Sequence, residues 1–277
     1  MKALIDGDIC AYRTAAASEE ADENICLLRL DRMIREILHV TEADTYEIYL
    51  SGEDNFRYKI FPEYKANRKD TVKPRWLQAC REYLATEWNA KFAHGCEADD
   101  MLAIAQTEGV NWLKSDCPLA DDETIICSID KDLLQVPGKH YNFVKNEWTT
   151  IDFFGGLKRF YTQLIMGDRS DGIPGVAGLG EKKAAKLLEG CETEQEMFDV
   201  CRQAYQDDET MIMYGKCLWI QRKEGEIWEP NTLLTGLSQL SSEAEEPSGS
   251  TTPRQEETNQ SLDLITPDKD GYLVHGH

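Results

Sequence analysis

Apolar residues in the first half of the chain recur with two spacings, one typical of helices and one typical of strands. The helical spacing predicts helices over residues 24–40, 76–88 and 99–106. Short apolar or β-rich runs predict strands over residues 2–5, 45–50 and 124–129. Strands that alternate with helices in this order predict an α/β core built around a parallel sheet.

Beyond residue 151 the chain consists of helical segments separated by glycines. The predicted helices cover residues 160–166, 181–188 and 194–205. From Ser238 the composition changes to Ser, Glu and Pro with few aromatic residues, which is typical of a segment that buries too little apolar surface to stay ordered. The sequence therefore predicts a core over 1–150, a mainly helical part over 151–237 and a disordered acidic tail over 238–277.

The composition is that of a globular protein, with 41% hydrophobic and 29% charged residues in 277. No apolar run reaches the roughly 18 residues of a membrane span, and Asp6 stands where a signal peptide would be apolar. We therefore expect a cytoplasmic protein without a membrane partner. Nine cysteines without a Cys-x-x-Cys pair predict reduced core residues rather than a zinc site or a disulfide framework.

Charge is distributed unevenly along the chain. The net charge of −21 argues against a polyanionic partner, yet residues 56–81 contain eight bases and two acids. Exposed charges act over only about 8 Å at physiological salt, so the local field of this basic segment matters more than the average. Nucleic acid therefore stays compatible with the sequence.

Acidic residues follow four of the apolar runs. The clusters are Asp6 and Asp8; Glu97, Asp99 and Asp100; Asp130 and Asp132; Asp168 and Asp171. The carboxyl ends of parallel strands share one edge of a sheet, so several clusters are expected to converge. Two carboxylates 4 Å apart repel by about 4 kcal/mol at an effective dielectric of about 20, which indicates a bound cation.

Oxygen ligands suit Mg²⁺ or Mn²⁺, and a pair of such ions is the usual device for phosphodiester hydrolysis. A single Asp-x-Asp is more often a solvated turn or a helix cap. Four clusters in register with the predicted elements favour the metal site.

A glycine-rich hairpin precedes the predicted helix at 181–188. Gly175, Gly178 and Gly180 allow a tight turn whose backbone N–H groups point outward, and the helix adds its positive end. Lys182, Lys183 and Lys186 follow and can meet a DNA backbone. This pattern predicts a phosphate-binding hairpin, while a plain helix connection with glycine caps is the alternative.

Four ordered motifs resemble those of the 5′ nuclease family, which comprises flap endonucleases and phage-type 5′-to-3′ exonucleases. They are Phe56-Arg57 with residues 61–68, residues 95–100, residues 128–132, and residues 167–175. The resemblance covers about residues 2–190. It implies a PIN-like parallel-sheet core, a helical arch over about 56–81, and a helix–three-turn–helix over about 160–190 that holds duplex DNA.

The resemblance also implies roles for single residues. By position, the ligands of a first ion would be Asp6, Glu97 and Asp99, those of a second Asp130, Asp132 and Asp168, with Asp100 and Asp171 close by. Lys65 and Arg68 would reach from the arch to stabilise charge on the phosphate, and Arg57 would contact DNA. Tyr12 matches an aromatic residue that stacks on a base, although a core tyrosine on the first helix is the alternative.

One position departs from the family pattern. Where the family commonly has Asp-Gly after its second strand, this chain has Ser51-Gly52, and Glu53 or Asp54 could replace the missing acid through a water.

From the acidic clusters and the resemblance together we expect a nuclease that uses Mg²⁺ or Mn²⁺, with two ions. Its substrates would be 5′ ends, flaps or junctions of DNA, and RNA in hybrids as well. A PIN-type endoribonuclease and a catalytically weakened DNA-binding subunit stay open as alternatives, and the partner of the tail is unknown.

Overall fold

A mostly parallel sheet forms the centre of the molecule. The structure is a computed structural model that describes residues 1–108 and 124–230, so the predicted tail at 238–277 lies outside the described residues. In these ranges six strands form one sheet in the order β3-β2-β1-β4-β5-β6, in which only β6 is antiparallel to its neighbour. The strands are β1 (Lys2–Asp6), β2 (Thr45–Leu50), β3 (Lys91–Phe92), β4 (Thr124–Cys127), β5 (Gly138–Asn142) and β6 (Glu147–Ile151). The predicted α/β class is confirmed.

The helices agree closely with the periodicity of the sequence. They are α1 (Gly7–Ala16), α2 (Glu23–Thr41), α3 (Arg57–Ile60), α4 (Leu77–Glu87), α5 (Ala98–Thr107), α6 (Phe153–Met166), α7 (Glu181–Leu187), α8 (Glu194–Tyr205) and α9 (Asp208–Leu218). Helix α6 begins seven residues before the predicted start at 160, and the strand predicted over 124–129 already ends at Cys127. The short strands β3, β5 and β6 and the helix α9 have no counterpart in the prediction.

Alternating residues of β1 explain why helices cover both faces of the sheet. Ile5 packs with α1, α2 and α4 on one face, whereas Leu4 packs with α5 on the other, and both side chains are fully buried. Buried Leu30 and Ile34 lie four residues apart on α2, as its helical pattern predicts. The sheet is therefore a fixed frame for the residues at its carboxyl edge.

Helices α6 to α9 share a second apolar cluster, and the segment at 56–81 is anchored in it. Phe61 and Tyr64 from this segment are buried against the helices. The segment itself contains α3, a 3-10 turn at Ala66–Arg68 and the first residues of α4, joined by irregular chain rather than by one long helix. The expected arch is therefore short, and its first half packs against helices α6 to α9.

The eight cysteines in the described ranges are free and buried, which confirms the prediction that they are core residues. Cys117 lies outside the described residues. None of the helices at 1–108 and 124–230 is both long enough and apolar enough to cross a membrane.

Candidate active site

Asp6 stands at the carboxyl end of the central strand β1. Its side chain is 2% exposed, accepts a hydrogen bond of 2.6 Å from Ser128 Oγ and caps α1 through the amide of Ile9 at 3.0 Å. Burial raises the pKa of Asp6 to about 7, and the negative charges of Asp8 and Asp130 add to this effect. The neighbouring acids are therefore close enough to interact electrostatically.

Helix α5 brings two further acids to the same edge. Glu97 is the N-cap of this helix, and Asp99 lies in its first turn. Loss of water raises the pKa of Asp99 well above its usual value, and the charges of Asp6, Asp130 and Glu97 raise it further. These acids share one region of negative charge, as the order of the strands predicts.

The loop after β4 supplies the third group. Ser128 Oγ accepts a hydrogen bond of 3.0 Å from the amide of Asp130, and Asp130 in turn accepts one of 2.9 Å from the amide of Asp132. Burial raises the pKa of Asp132 to about 8, with further contributions from the charges of Asp130 and Asp168. Ser128 thus holds Asp6 and Asp130 together, a role that the sequence analysis missed although Ser128 is part of the motif.

The loop after α6 supplies the fourth group. Asp168 accepts hydrogen bonds of 2.7 Å from both the amide and the hydroxyl of Ser170. Burial alone would raise the pKa of Asp168, but the hydrogen bonds from Ser170 and Asp132 outweigh it and lower the pKa. An antiparallel bridge between Asp168 and Ile173 closes this loop. The loop is therefore a preformed turn that presents Asp168 towards Asp132.

The carboxylates share an edge without forming a closed cage. Within residues 1–108 and 124–230 no three Asp, Glu, His or Cys side chains lie close enough together to hold a metal ion as they stand. The donors are all oxygens, and burial, followed by the charges of neighbouring acids, raises the pKa values of Asp6, Asp99 and Asp132. Such a set fits a hard divalent cation once the side chains draw together.

We expect the metal-free protein to lose stability as the pH rises from about 6.5 to 8. Folded Asp6 and Asp132 have pKa values of about 7 and 8, so they still bind protons that the unfolded chain, with a pKa of 3.8, has released. The folded state then binds more protons, and its free energy of unfolding falls by up to about 1.4 kcal/mol per pH unit for each proton. Urea denaturation in EDTA across this range measures the slope.

His140 partly offsets this fall below pH 6.5. Burial lowers its pKa to about 4, so below pH 6.5 it makes stability rise with pH and opposes the carboxylates. Asp132→Asn should make the fall above pH 6.5 shallower, and Asp199→Asn, an exposed acid on α8, should leave it unchanged. Stability that is constant or rises between pH 6.5 and 8 would contradict the raised pKa values.

Residues from the arch contact the acids directly. Lys65 pairs with Glu97 and lies 3.7 Å from Asp171. The Tyr64 hydroxyl donates to Asp171 at 2.8 Å and lies 3.0 Å from Glu97, while Arg68 pairs with Asp171 at 2.6 Å. Burial would lower the pKa of Lys65, but the carboxylates of Glu97 and Asp171 outweigh it and raise the pKa. The predicted cations are therefore at the site, and Tyr64 is a neighbour that sequence reasoning missed.

Ser51 directly follows β2 and lies beside the first residue of α5. Its amide donates to Asp8 at 2.8 Å, and its hydroxyl accepts from the amide of Ala98 at 3.0 Å. Arg81 of α4 pairs with Asp8 and donates to the Ser51 carbonyl. Asp8 and Arg81 thus fill the region beside the missing carboxylate.

The structure corrects the roles expected for Arg57 and Asp100. Arg57 is 2% exposed, and its guanidinium pairs with both oxygens of Asp100, at 2.6 and 2.8 Å. It also donates to the carbonyls of Cys217 and Trp219, each at 2.7 Å. Arg57 is therefore not placed to contact DNA, and Asp100, fully buried with both oxygens engaged, is not placed to hold an ion. The local charge pattern misled the prediction because it carries no information about burial.

The hairpin before α7 combines one closely packed glycine with two open ones. At Gly175 (φ +64°) a Cβ would lie 2.3 Å from the amide of Gly167, so this glycine serves the packing of the loop. At Gly178 (φ +78°) and Gly180 a Cβ would meet nothing within 4 Å. Lys182, Lys183 and Lys186 are exposed beside them, and Lys183 donates to the Gly178 carbonyl at 2.9 Å. The outer hairpin is free to receive a ligand.

We expect Gly180→Val to fold normally and to bind duplex DNA more weakly. The backbone of Gly180 is extended and its surroundings are open, so the protein tolerates the side chain, whereas an approaching phosphate does not. Loss of one or two backbone hydrogen bonds predicts a decrease of about tenfold in affinity, for duplexes of any sequence. Fluorescence anisotropy measures it, with Gly190→Val, another open glycine, as the control. Equal affinity in both variants would remove the hairpin from the binding surface.

Tyr12 on α1 is 46% exposed, so the alternative of a core tyrosine is wrong. Its predicted stacking on a base stays a prediction.

Comparisons with known proteins agree with this architecture. The family described as "5'-3' exonuclease, N-terminal resolvase-like domain" matches residues 2–160. Flap endonuclease Xni of Shewanella putrefaciens is 30% identical over 208 residues, which are 70% of this chain and 76% of the relative. The zinc-bound 5'-exonuclease of bacteriophage T5 has a similar fold, with a TM-score of 0.60, 18% identity and coverage of 79% of this chain and 89% of that one. A complex of the bacteriophage T5 flap endonuclease with DNA and metal ions has a TM-score of 0.53 and 16% identity over 78% and 97% of the two chains.

Proposed function

The chain belongs to the 5′-3′ exonuclease family, and on this basis we propose that it is a Mg²⁺-dependent nuclease that hydrolyses DNA at 5′ ends, flaps or junctions. The observation that carries the proposal is the set of electrostatically coupled acids Asp6, Asp99, Asp130 and Asp132 at the carboxyl edge of one sheet. The metal ions bound to the bacteriophage T5 relatives, and the DNA bound to one of them, support it.

The acids divide into two groups around β1. In this proposal Asp6, Glu97 and Asp99 form the first group, and Asp130, Asp132 and Asp168, which follow β4 and α6 in the chain, form the second. In this proposal the two groups hold one ion each. Bound Mg²⁺ would supply a nucleophilic hydroxide at neutral pH and would stabilise charge on the leaving oxygen.

The chain's own residues orient the DNA around these acids. The open hairpin at Gly178 and Gly180, with the exposed lysines of α7, receives the backbone of the duplex without reading its sequence. Tyr12, exposed on α1, stacks on a base beside the scissile phosphate. The loop at 168–171 connects this duplex surface to the acids.

Lys65 and Arg68, which pair with acids of the site, would also act on the scissile phosphate during the reaction. In the structure their charges are satisfied by Glu97 and Asp171, and metal and DNA would compete for the same carboxylates. Once released, both cations are within reach of the scissile phosphate and stabilise the charge that develops on it.

We expect Lys65→Ala and Arg68→Ala to lower the single-turnover rate by about 100-fold, while the affinity for duplex DNA changes little. The reason is that these two cations stabilise charge on the phosphate only in the transition state. Their loss therefore lowers the cleavage rate at saturating enzyme and leaves the affinity for the uncleaved DNA almost unchanged. Rapid-quench kinetics on a labelled 5′ flap measure the rate. Lys69→Ala, an exposed base in the same segment, is the control. A loss of affinity with an unchanged rate would make the two residues ordinary phosphate contacts.

A panel of substrates at fixed Mg²⁺ tests the proposal as a whole. We expect cleavage of a 5′ flap and of a recessed or blunt 5′ end, with products released from the 5′ side, and weaker cleavage of linear single strands. An RNA–DNA hybrid in the panel reports on the RNA strand. Efficient cleavage of single-stranded RNA with no preference for a duplex junction would instead identify a PIN-type endoribonuclease.

A further inference from the structure

Two buried glutamines lie next to the second group of acids. Gln135 ends the 3-10 turn that begins at Asp132, and Gln163 lies on α6, five residues before Asp168. Their side chains are 1% and 3% exposed. Neither glutamine belongs to the motifs that predicted the site, yet each lies close in the chain to one of its acids.

A series of hydrogen bonds runs from the end of α9 through both amides to Asp168. Gln135 Nε2 donates to the carbonyl of Leu218 at 2.9 Å and to Gln163 Oε1 at 2.8 Å. Gln163 Nε2 then donates to Asp168 Oδ2 at 3.3 Å. The series therefore connects the loop after β4 with the loop after α6, the two loops that supply the second group of acids.

The backbone carbonyl of Leu218 fixes the orientation of both amides. This carbonyl only accepts hydrogen bonds, so the Nε2 end of the Gln135 amide has to face it. The same Nε2 donates to Gln163 Oε1, which turns the Nε2 end of Gln163 towards Asp168. If either amide turned over, two acceptors would face each other. Asp168 therefore meets a hydrogen-bond donor from α6.

The backbone of Gln135 is held in place as well as its side chain. The Gln135 carbonyl accepts a hydrogen bond of 2.8 Å from Arg222. Helix α6 approaches this carbonyl closely at Gly156, where a Cβ would lie 2.3 Å from its oxygen. The contact between the 3-10 turn and α6 is therefore tight, and the two glutamines lie within it.

Gln163 orients Asp168 without changing the charge of the site. Ser170 donates to Asp168 Oδ1 through its amide and its hydroxyl, each at 2.7 Å, while Gln163 donates to Oδ2. Each carboxylate oxygen has two lone pairs, so Oδ2 can accept from Gln163 and still bind a cation. A neutral amide also brings no positive charge that would compete with the cation.

We propose that Gln163 is a positioning residue that holds the Asp168 carboxylate in the orientation that binds a divalent cation with Asp130 and Asp132, and that Gln135 fixes the orientation of Gln163. The inference rests on the metal-dependent function proposed above. It assigns to the site two residues that act on the ion through Asp168 rather than by contact with it.

Binding of Mn²⁺ to the metal-free protein, without DNA, tests the proposal, and EPR of the free ion follows the titration. Gln163→Met keeps the size of the side chain and removes its amide. It should weaken Mn²⁺ binding by about tenfold to 100-fold, the loss that is typical when the partner of a metal ligand is removed. Gln135→Met lets the Gln163 amide turn over and should weaken binding by a smaller factor. If Gln163→Met does not fold, unchanged Mn²⁺ binding by Gln135→Met would overturn the inference.

Gln106→Met is the matched control. Gln106 is 2% exposed and donates to the carbonyls of Pro137 and Lys139 at 3.2 and 3.1 Å, so the variant removes a buried amide of the same kind from the other end of α5. It should lower the melting temperature in EDTA and still bind Mn²⁺ as the wild type does. Gln106→Met that loses as much Mn²⁺ affinity as Gln163→Met would overturn the positioning role.

Asp168→Asn distinguishes positioning from a general loss of structure. If Gln163 acts through Asp168, Gln163→Met should weaken Mn²⁺ binding no further in protein that already carries Asp168→Asn. Wild-type affinity in folded Gln163→Met, or an equal further loss in the Asp168→Asn background, would overturn the inference and leave the nuclease proposal intact. Wild-type protein that binds no Mn²⁺ would instead contradict the proposed function itself, and with it this inference.

Discussion

Asp132→Asn should reduce cleavage of a 5′ flap by at least about 100-fold, because it removes one oxygen ligand and one negative charge from the group that would hold the ions. The same change should leave affinity for the flap unaltered or raise it, since less negative charge then faces the DNA backbone. Single-turnover kinetics and anisotropy on one labelled substrate measure both quantities. The effect should be large because Asp132 is close enough to Asp130 and Asp168 for both of their charges to raise its pKa.

The matched control for this variant is Asp199→Asn, the same chemical change on the exposed surface of α8. It should retain both rate and affinity. If the Asp132→Asn enzyme keeps its rate within about tenfold of wild type, Asp132 is not a ligand and the second group of acids has to be reassigned.

Arg57→Met should cause the largest loss of stability, about 3 to 5 kcal/mol in the free energy of unfolding, because it leaves Asp100 charged and buried without its partner. Arg57 joins α3 to α5 through Asp100, and to the end of α9 through the carbonyls of Cys217 and Trp219. Urea denaturation at pH 7 gives the free energy. Cleavage should fall as well, since Glu97 and Asp99 lie on α5.

Two further variants distinguish the contribution of the buried pair to stability from that of an exposed ion pair. Arg57→Met combined with Asp100→Leu removes both buried charges and should recover part of the lost stability. Arg35→Met breaks an exposed pair with Asp31 on α2 and should change stability little. If Arg57→Met is no more destabilising than Arg35→Met, the pair does not hold these helices together.

The frame of the fold and the edge that bears the acids could be predicted from local patterns. Segment β2 and helix α2 have clear periodicity and β1 is a short apolar run, and each is predicted to within a residue or so. Parallel order then placed Asp6 and Asp130 at one edge without any knowledge of contacts. In the structure the charge of Asp130 contributes to the raised pKa of Asp6, which agrees with that placement.

Features that depend on tertiary contacts could not be predicted in this way. Arg57 lies in a basic segment, and only the packing of α3 against α5 and α9 reveals that it is buried. Strands β5 and β6 form a hairpin at one edge of the sheet, and their sequences lack the apolar run that marks a central strand. The partners of Ser51 come from α1, α4 and α5, which no local pattern connects.

Cleavage of a 5′-labelled flap with Mg²⁺ and with EDTA decides whether the acids at this edge support metal-dependent hydrolysis. We predict that wild-type protein releases labelled products from the flap with Mg²⁺, that EDTA abolishes their release and added Mg²⁺ restores it, and that Asp132→Asn purified in the same way releases almost none. Cleavage that persists in EDTA would show that hydrolysis needs no metal ion, and equal cleavage by wild type and Asp132→Asn would show that Asp132 is not a ligand.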